Sequence, residues 1–553
     1  MRLMQHIGFL WYDCLMISPQ NEKTDTLRIS ISGGVFCESL RGETVLAALT
    51  RAGIVISAPC GGRGICGKCR VIMREGTVKL TEKAETEPKP GDSFSACRGI
   101  ALTDITIELP EEEYTSDLSA DMEETQRVKP QFGEGRDSAR KKVRRAGLGV
   151  DIGTTTVQAE LIDLDTGESL EAVSALNNQR SFGADVMSRI NAARNGQSGE
   201  LFTAINRQTE DILRHCIRKW NLSGIEQCAI SGNTTMLHLF AGVDPSGMGV
   251  VPFTPVFLEE RNFTGQELSL SVERITLLPG ISAFVGADIV SGLAFLDILN
   301  QKEDSLLVDI GTNGEMALWK NKEQRLLCCS TAAGPCFEGA EISCGMGALP
   351  GAINRIVIAA NGPDAVNESS FPFGPLSYTT LGNIPPRGIC GAALVDAMAA
   401  MKTLSVIDET GALADGYTET GFPLAEGMAI SQKDVRQFQL AKSAIRSGIT
   451  VLCKRAGLIP ENLGTVYIAG GFGFFINLES AVTAGLLPPE FTGKLDKKPQ
   501  TVVCGNTSLK GAVQSLRDRS FLPRCREIIA HSVSAELSSE PDFADAFAEN
   551  MYF

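Results

Sequence analysis

Apolar positions along the chain form two periodic regions separated by a stretch with no period at all. In the first, Leu27-Arg28-Ile29-Ser30-Ile31-Ser32 alternates with a period of two and predicts a half-buried strand. Gly33-Gly34 predicts a turn, and Thr44-Val45-Leu46-Ala47-Ala48-Leu49 predicts a helix. Between Pro110 and Gly147 the period vanishes. Acidic residues (Glu111, Glu112, Glu113, Asp117, Asp121, Glu123, Glu124) give way there to basic ones (Arg136, Arg140, Lys141, Lys142, Arg144, Arg145). Such a block is expected to be a solvated linker, with a charged helix as the alternative. As a flexible chain it would reach about 30–35 Å and let the preceding part swing.

The second periodic region opens with a repeat. Leu148-Gly-Val-Asp151-Ile-Gly153-Thr154-Thr155-Thr156 leads into the strand-like Val157-Gln-Ala-Glu-Leu-Ile162, and Leu306-Leu-Val-Asp309-Ile-Gly311-Thr312-Asn313-Gly314-Glu315 repeats it 158 residues later. Six of seven positions agree in the pattern L-x-V-D-I-G-T, which predicts two similar lobes, each with a strand-turn-strand. A glycine- and threonine-rich turn offers N–H and hydroxyl groups to phosphate oxygens, and an Asp at the strand end can hold Mg2+ through water. A single hairpin of this kind is as readily an ordinary tight turn, and an Asp after a strand is an ordinary turn residue.

A third stretch, Val466-Tyr-Ile-Ala-Gly470-Gly471-Phe-Gly473, reads as an apolar strand ending in a turn open to close approach by adenine and ribose. In this order the three stretches resemble the phosphate and adenosine motifs of the acetate and sugar kinase, Hsp70 and actin superfamily. That resemblance implies a two-lobed ATP-binding domain.

The N-terminal region carries different chemistry. Cys60, Cys66, Cys69 and Cys97 stand as C-x5-C-x2-C-x27-C, with Gly61, Gly62, Gly64 and Gly67 laced through the tight trio. Glycines let the backbone wrap a cluster and aim N–H groups at its sulfurs. The spacing resembles plant-type 2Fe-2S proteins, the longer first gap being like their adrenodoxin-like relatives. With the flanking strand and helix, this is the order of a β-grasp ferredoxin. Zinc is the rival, but structural zinc pairs two short knuckles and Cys97 has no near partner.

Composition is ordinary globular, and 553 residues imply three or four domain-sized units. A net charge of −15 excludes wrapping nucleic acid, which needs a basic face. Cysteine usage with an iron-sulfur site points to a reducing cytoplasm. The apolar stretch Ile7 to Ile17 contains Asp13 and is too short to span a bilayer, and it lacks a basic region and cleavage site. Fold signals begin only at Leu27, so Met16 is a candidate natural start. The reading is an α/β multidomain chain: extension 1–26, 2Fe-2S ferredoxin-like domain 27–109, charged linker 110–147, and two-lobed ATP-binding domain 148–553.

A ferredoxin joined to this ATPase fold resembles the ATP-dependent reductive activators of corrinoid proteins. The resemblance extends to Ser231-Gly-Asn233-Thr-Thr-Met-Leu-His238, Phe284-Val-Gly286-Ala-Asp288, Ala333-Gly334-Pro335-Cys-Phe337-Glu338-Gly339-Ala340, Cys344-Gly-Met-Gly347, and the stretch from Pro541-Asp-Phe543 through Met551-Tyr-Phe553. It implies return of an inactive Co(II) corrinoid to Co(I) in a methyltransferase system, using a 2Fe-2S cluster, ATP and Mg2+. It also implies a corrinoid protein as partner, an unidentified electron donor, and a homodimer. Under it, Cys60, Cys66, Cys69 and Cys97 bind the cluster and Asp151 and Asp309 the Mg2+ shell. Gly153, Thr154, Thr155 and Thr156, with Gly311, Thr312, Asn313 and Gly314, surround phosphates, and Gly470, Gly471 and Gly473 face the adenosine. One departure is expected: Pro110–Gly147 is too short for the further middle domain of better-known members.

Other residues carry less. Glu315 is a candidate base for the attacking water or a surface residue on its strand, and Glu338 is a nucleotide neighbour or a helix-dipole partner. None of the four histidines, His6, His215, His238 and His531, sits in the D-x-H-x-x-G loop of cobalamin carriers, and His238 in its apolar run reads as a satisfied core residue. Cys328, Cys329, Cys336, Cys344 and Cys390 read as packing residues. Two other readings remain: a redox-sensing nucleotide-binding scaffold, and an activator of another low-potential metalloenzyme. The latter's 4Fe-4S ligands would sit inside the ATPase domain, unlike the separate cysteine module here.

Overall fold

The computed structural model describes residues 26–109, 143–358, 371–471 and 476–553, apart from 33–34, 53, 55, 57–61, 63, 65–68, 82–86, 349, 374 and 493–498. These fall into two compact units. Much of the proposed linker, the turn Gly33-Gly34 and the stretch Ile7–Ile17 lie outside the described residues. No helix among the described residues is long and apolar enough to cross a membrane.

The first unit is a five-stranded sheet in the order Phe36–Leu40, Thr26–Ile31, Ile105–Glu108, Arg70–Glu75, Ser93–Ser95. Thr26–Ile31 pairs antiparallel with Phe36–Leu40 and parallel with Ile105–Glu108. The alternation read in the sequence places Ile29 and Ile31 inward. Helix Val45–Arg51 buries Val45, Leu46, Ala48 and Leu49, and starts where the Thr44 hydroxyl accepts the Ala47 N–H at 3.2 Å. This is a β-grasp.

The second unit contains two six-stranded sheets built on one plan. In the first lobe the order is Ser169–Leu176, Thr156–Asp163, Ala146–Ile152, Ile225–Gly232, Val272–Leu277, Arg261–Thr264. In the second it is Gln500–Gly505, Thr465–Ala469, Ser305–Ile310, Asn313–Lys320, Arg325–Ala332, Ser532–Ala535. Each lobe has an antiparallel hairpin, Ala146–Ile152 with Thr156–Asp163 and Ser305–Ile310 with Asn313–Lys320, whose first strand pairs parallel with a later one. The repeated motif is therefore a repeated piece of topology. Strand Ser305–Ile310 reads Leu-Leu-Val because both faces are covered: Leu306 and Val308 join the second lobe's core, and Leu307 joins the first's. A four-stranded sheet, Phe371–Phe373, Leu376–Thr380, Ala352–Ile358 and Gly388–Ile389, packs on helix Gly391–Thr403.

Candidate nucleotide cleft and cluster site

The first hairpin turns at Gly153–Thr155. The Gly153 N–H closes the turn on the Thr156 carbonyl at 3.0 Å, and a Cβ on Gly153 would stand 2.7 Å from that oxygen. Three side chains hold the turn from below. The Asn177 amide donates to the Gly153 carbonyl at 2.8 Å, the Asn233 amide donates to the Thr154 hydroxyl at 3.0 Å, and Arg189 donates to the carbonyls of Thr154 and of Gly183. Arg189 is fully buried. Burial pushes its guanidinium down to about 9 against the pull of Asp185 and Glu338.

The second hairpin repeats the turn, the Gly311 N–H donating to the Asn313 carbonyl at 2.9 Å. The two turns face each other across the lobes. Thr155 Oγ1 and Thr312 Oγ1 lie 3.1 Å apart, and both hydroxyls donate to the same oxygen, Glu338 Oε2. Strand Thr465–Ala469 runs beside Ser305–Ile310 with Ala469 opposite Asp309, so Gly470 sits at the mouth. A Cβ on Gly470, whose φ is +105°, would approach the Ile310 carbonyl at 2.3 Å and the Asp309 carboxylate at 2.7 Å. In the first lobe the same register places Ser231 and Gly232 opposite Asp151 and Ile152.

The cleft, of about 230 Å³, is lined by five acids: Asp151, Asp288, Asp309, Glu315 and Glu338. Burial raises every one of these carboxyls, and mutual repulsion adds to several. Asp288, beside Asp151, is pushed up to about 7. Burial and then the charges of Asp288, Asp151 and Glu338 raise Asp309 well above the carboxylate range, and burial with Asp288 and Asp309 does the same for Glu315. For Asp151, burial raises and the Ser508 hydroxyl and Asn506 amide, each at 2.7 Å, lower. Burial raises Glu338 while the two threonine hydroxyls lower it. Clustered buried acids of this kind suit a bound cation. Among the described residues no group of three or more His, Cys, Asp or Glu is placed to hold a metal ion directly.

In the first unit Cys69 and Cys97 are both buried. Cys69 is pulled down to about 6, first by its hydrogen bond with the Cys97 thiol and against burial. The Ala96 N–H donates to the Cys69 carbonyl at 2.7 Å, fixing the two thiols side by side. Gly62 and Gly64 have φ of +76° and +77°, a conformation suited to glycine in a wrapped loop. Two buried cysteines held side by side fit half of an iron-sulfur ligand set. Cys60 and Cys66 lie outside the described residues.

Asp151, Asp309, Gly153, Thr154, Thr155, Thr156, Gly311, Thr312, Asn313, Gly470 and Gly471 all line the cleft. Gly314 does not: a Cβ there would stand 2.0 Å from Ile445, so its lack of a side chain serves packing against helix Gln432–Arg455. Gly473 lies outside the described residues. Glu315 is buried in the cleft with the Ser330 hydroxyl at 3.3 Å, which excludes the surface alternative. Glu338 ends the 3-10 turn Pro335–Glu338 and bridges the hairpins, so it is no helix-dipole partner. His238 is a satisfied core residue, its Nε2 accepting the Val256 N–H at 3.0 Å and its Nδ1–H donating to the Thr234 carbonyl at 2.7 Å. Cys328, Cys329, Cys336 and Cys390 are buried, and Cys344 packs on the second core. Sequence reasoning assigned no role to Asn177, Arg189, Asn233, Asp288, Asn506 or Ser508. Asn233 and Asp288 stand in the quoted stretches, but Asn506 and Ser508 carry no local signal.

Three family models match in order. They are the 2Fe-2S iron-sulfur cluster binding domain at residues 30–101, the RACo middle region at 146–301, and the C-terminal ASKHA domain of RACo at 303–553. The RACo middle region matches the residues of the first lobe. The corrinoid activation enzyme RamQ of Eubacterium limosum is 27% identical over 91% of this chain and 94% of its own length. The [Co(II) methylated amine-specific corrinoid protein] reductase of Methanosarcina barkeri is 28% identical over 70% and 73%. A solved reductive activator for corrinoid, iron-sulfur protein superposes with a TM-score of 0.66 at 28% identity, over 95% of this chain and 98% of that one. In fold, domain order and near full-length similarity, the chain has the ferredoxin-plus-ASKHA architecture of the RACo and RamQ type of corrinoid-activation proteins.

Proposed function

We propose that the chain reductively activates a corrinoid protein of a methyltransferase system, returning inactive Co(II) to Co(I) by transfer of one electron at the expense of ATP. The observation that carries this reading is the union, in one chain, of a β-grasp unit with Cys69 beside Cys97 and a cleft where Thr155 and Thr312 of two lobes meet. Bound by Cys60, Cys66, Cys69 and Cys97, a 2Fe-2S cluster supplies the single electron. Each 59 mV of mismatch in a one-electron step is a tenfold equilibrium penalty, so an uphill transfer needs a bias.

The chain's own residues set up that bias. Gly153 to Thr156 and Gly311 to Asn313 present N–H and hydroxyl groups to the phosphates, and Asp151 and Asp309 hold the water shell of Mg2+. Gly470 and Gly471 leave room for the adenosine. Glu315 and Asp288, both raised first by burial and then by neighbouring charge, Asp288 and Asp309 acting on Glu315 and Asp151 on Asp288, are the candidates to receive a proton from the attacking water. Lobes that close differently on ATP and ADP give the corrinoid protein different affinity for the two states. An electron donor, a homodimer and a cytoplasmic setting complete the proposal.

The test is anaerobic reduction of a Co(II) corrinoid protein with reductant, Mg2+ and ATP, followed by the Co(I) absorption. Catalytic Co(I) formation with ATP alone, and not with a non-hydrolysable analogue, is the expected result. Equal rates without nucleotide would overturn the coupling and favour the redox-sensing scaffold.

A further inference from the structure

We infer that Glu338 sets the discrimination between nucleoside triphosphate and diphosphate, because its carboxylate holds the two hydroxyl hydrogens that a γ-phosphate would need. The inference rests on the interlobe cleft being the nucleotide site. A threonine hydroxyl has a single hydrogen to donate. Thr155 and Thr312 both direct theirs to Glu338 Oε2, so the 3.1 Å approach of the two hydroxyl oxygens to each other has no hydrogen left over. A phosphate oxygen is an acceptor and can take these hydrogens only by displacing the carboxylate. Glu338 therefore stands where an anion is to bind.

Among the described residues Arg189 is the cation whose charge acts on Glu338. Its guanidinium is already committed to the carbonyls of Thr154 and Gly183 and to the Met236 sulfur. A triphosphate must move Glu338 away, whereas a diphosphate lacks the group that competes with it.

The local backbone suits such a movement. Glu338 lies in a short turn between Gly334 and Gly339, with φ of +82° and +81°. Its neighbour Phe337 meets Phe438 edge to face, with ring centroids 5.9 Å apart, on the long helix Gln432–Arg455. The same step that admits the third phosphate therefore loads the second lobe's core. In this arrangement Glu338 lowers affinity for the triphosphate relative to the diphosphate, and reports the third phosphate to the lobe.

The experiment is isothermal titration of the full-length, cluster-loaded chain with Mg-ATP and with Mg-ADP, for the wild type, Glu338→Gln and Glu338→Asp. Glu338→Gln keeps the shape and removes the charge. Its ATP affinity is expected to tighten on the order of tenfold, about the effect of 1.4 kcal/mol, with ADP affinity changed much less. Glu338→Asp withdraws the charge by one methylene and should give an intermediate ratio, which keeps the test open if the glutamine variant fails to fold. An ATP-to-ADP affinity ratio that stays the same or falls in the variants overturns the inference. Absence of any nucleotide binding by the wild type would instead remove the proposed ATP site itself.

Discussion

The Ser508 hydroxyl donates to Asp151 Oδ1 at 2.7 Å although 357 residues of chain separate the two. Asn506 adds a second donor to the other carboxylate oxygen at 2.7 Å. Both follow strand Gln500–Gly505, which belongs to the second lobe's sheet, while helix Thr507–Ser515 packs back on helix Ala287–Phe295 and on the first lobe's strand Ala146–Ile152. Asp151 in the first lobe is thus contacted by residues that follow an edge strand of the second lobe's sheet. The same hydroxyl lies 2.9 Å from Ser231, which is 2.8 Å from Ser291, so a buried serine network underlies the carboxylate.

Ser508→Ala is expected to weaken Mg2+ dependence of ATP hydrolysis rather than the cluster. A hydrogen bond to a charged group contributes about 1.5–3 kcal/mol, so the Mg2+ concentration for half-maximal rate should rise roughly tenfold or more. Unchanged Mg2+ dependence would show that Asp151 needs no support from Ser508.

Arg189→Met removes a buried cation and strands the Thr154 carbonyl. An unsatisfied buried acceptor costs about 1–3 kcal/mol, and here the acceptor lies in the turn of the first hairpin, at the cleft. A lower unfolding temperature together with a raised KM for ATP is the expected pair. Loss of stability with KM unaltered would reduce Arg189 to a packing residue.

What was legible in the sequence was what folds locally. The two L-x-V-D-I-G-T stretches are hairpins because a short apolar strand, a glycine and a hydroxyl-rich turn specify one another over ten residues. The helix after Thr44 was legible through its apolar positions, which are the ones it buries. The cysteine spacing is likewise a local signal, three of its four members standing between residues 60 and 69. Glu338, Asn506 and Ser508 were not assignable, since each reaches the cleft from an element whose position only the assembled sheets define. Gly314 misled in the opposite way: it belongs to the motif, but its missing side chain accommodates Ile445 from a helix over a hundred residues on.

The acid cluster makes stability fall as pH rises. Asp288 titrates at about 7 in the folded protein, against about 4 for an unfolded aspartate. Below about pH 4 both states are protonated and no penalty exists. Between about 4 and 7 the unfolded chain loses its proton first, so unfolding is favoured increasingly, and above 7 the penalty is complete. Asp309 and Glu315, raised well above the usual range, add to the fall. In the nucleotide-free protein Asp288→Asn should raise stability at pH 8 by on the order of 2 kcal/mol and flatten the profile of melting temperature against pH. Saturating Mg-ATP should flatten the wild-type profile too. A melting temperature that climbs from pH 5 to 8 in the wild type would refute this account.

Cys97→Ala should abolish the cluster while leaving nucleotide chemistry intact, because the paired thiols belong to one compact unit and the cleft to the other. Anaerobically reconstituted wild type is expected to hold about two irons per chain, with the rhombic reduced-state signal of a 2Fe-2S centre, and the variant to hold none. Mg-ATP hydrolysis should persist in the variant within about twofold. Stoichiometric zinc in place of iron in the wild type would overturn the cluster assignment.

The last prediction concerns the segment 543–553, which is docked along helix Gln432–Arg455 by polar as well as aromatic contacts. Buried Lys442 donates to the Asn550 carbonyl at 2.7 Å and to that of Tyr552, and Asn550 donates to the Ser447 hydroxyl at 3.0 Å. The Phe553 ring stacks on Phe438, with centroids 6.1 Å apart, under the Lys442 ammonium. Phe438 in turn meets Phe337, the neighbour of Glu338. Phe553→Ala should therefore cost about 1–3 kcal/mol, less than a fully buried Phe because the ring is only partly covered. Such a loss alone would be unremarkable packing. If the aromatic chain also steadies the turn carrying Glu338, the variant should shift the ratio of ATP to ADP affinity as well, and Phe438→Leu should shift it in the same direction. Joint loss of stability with an unmoved ratio would confine the segment to covering Lys442 and the helix face.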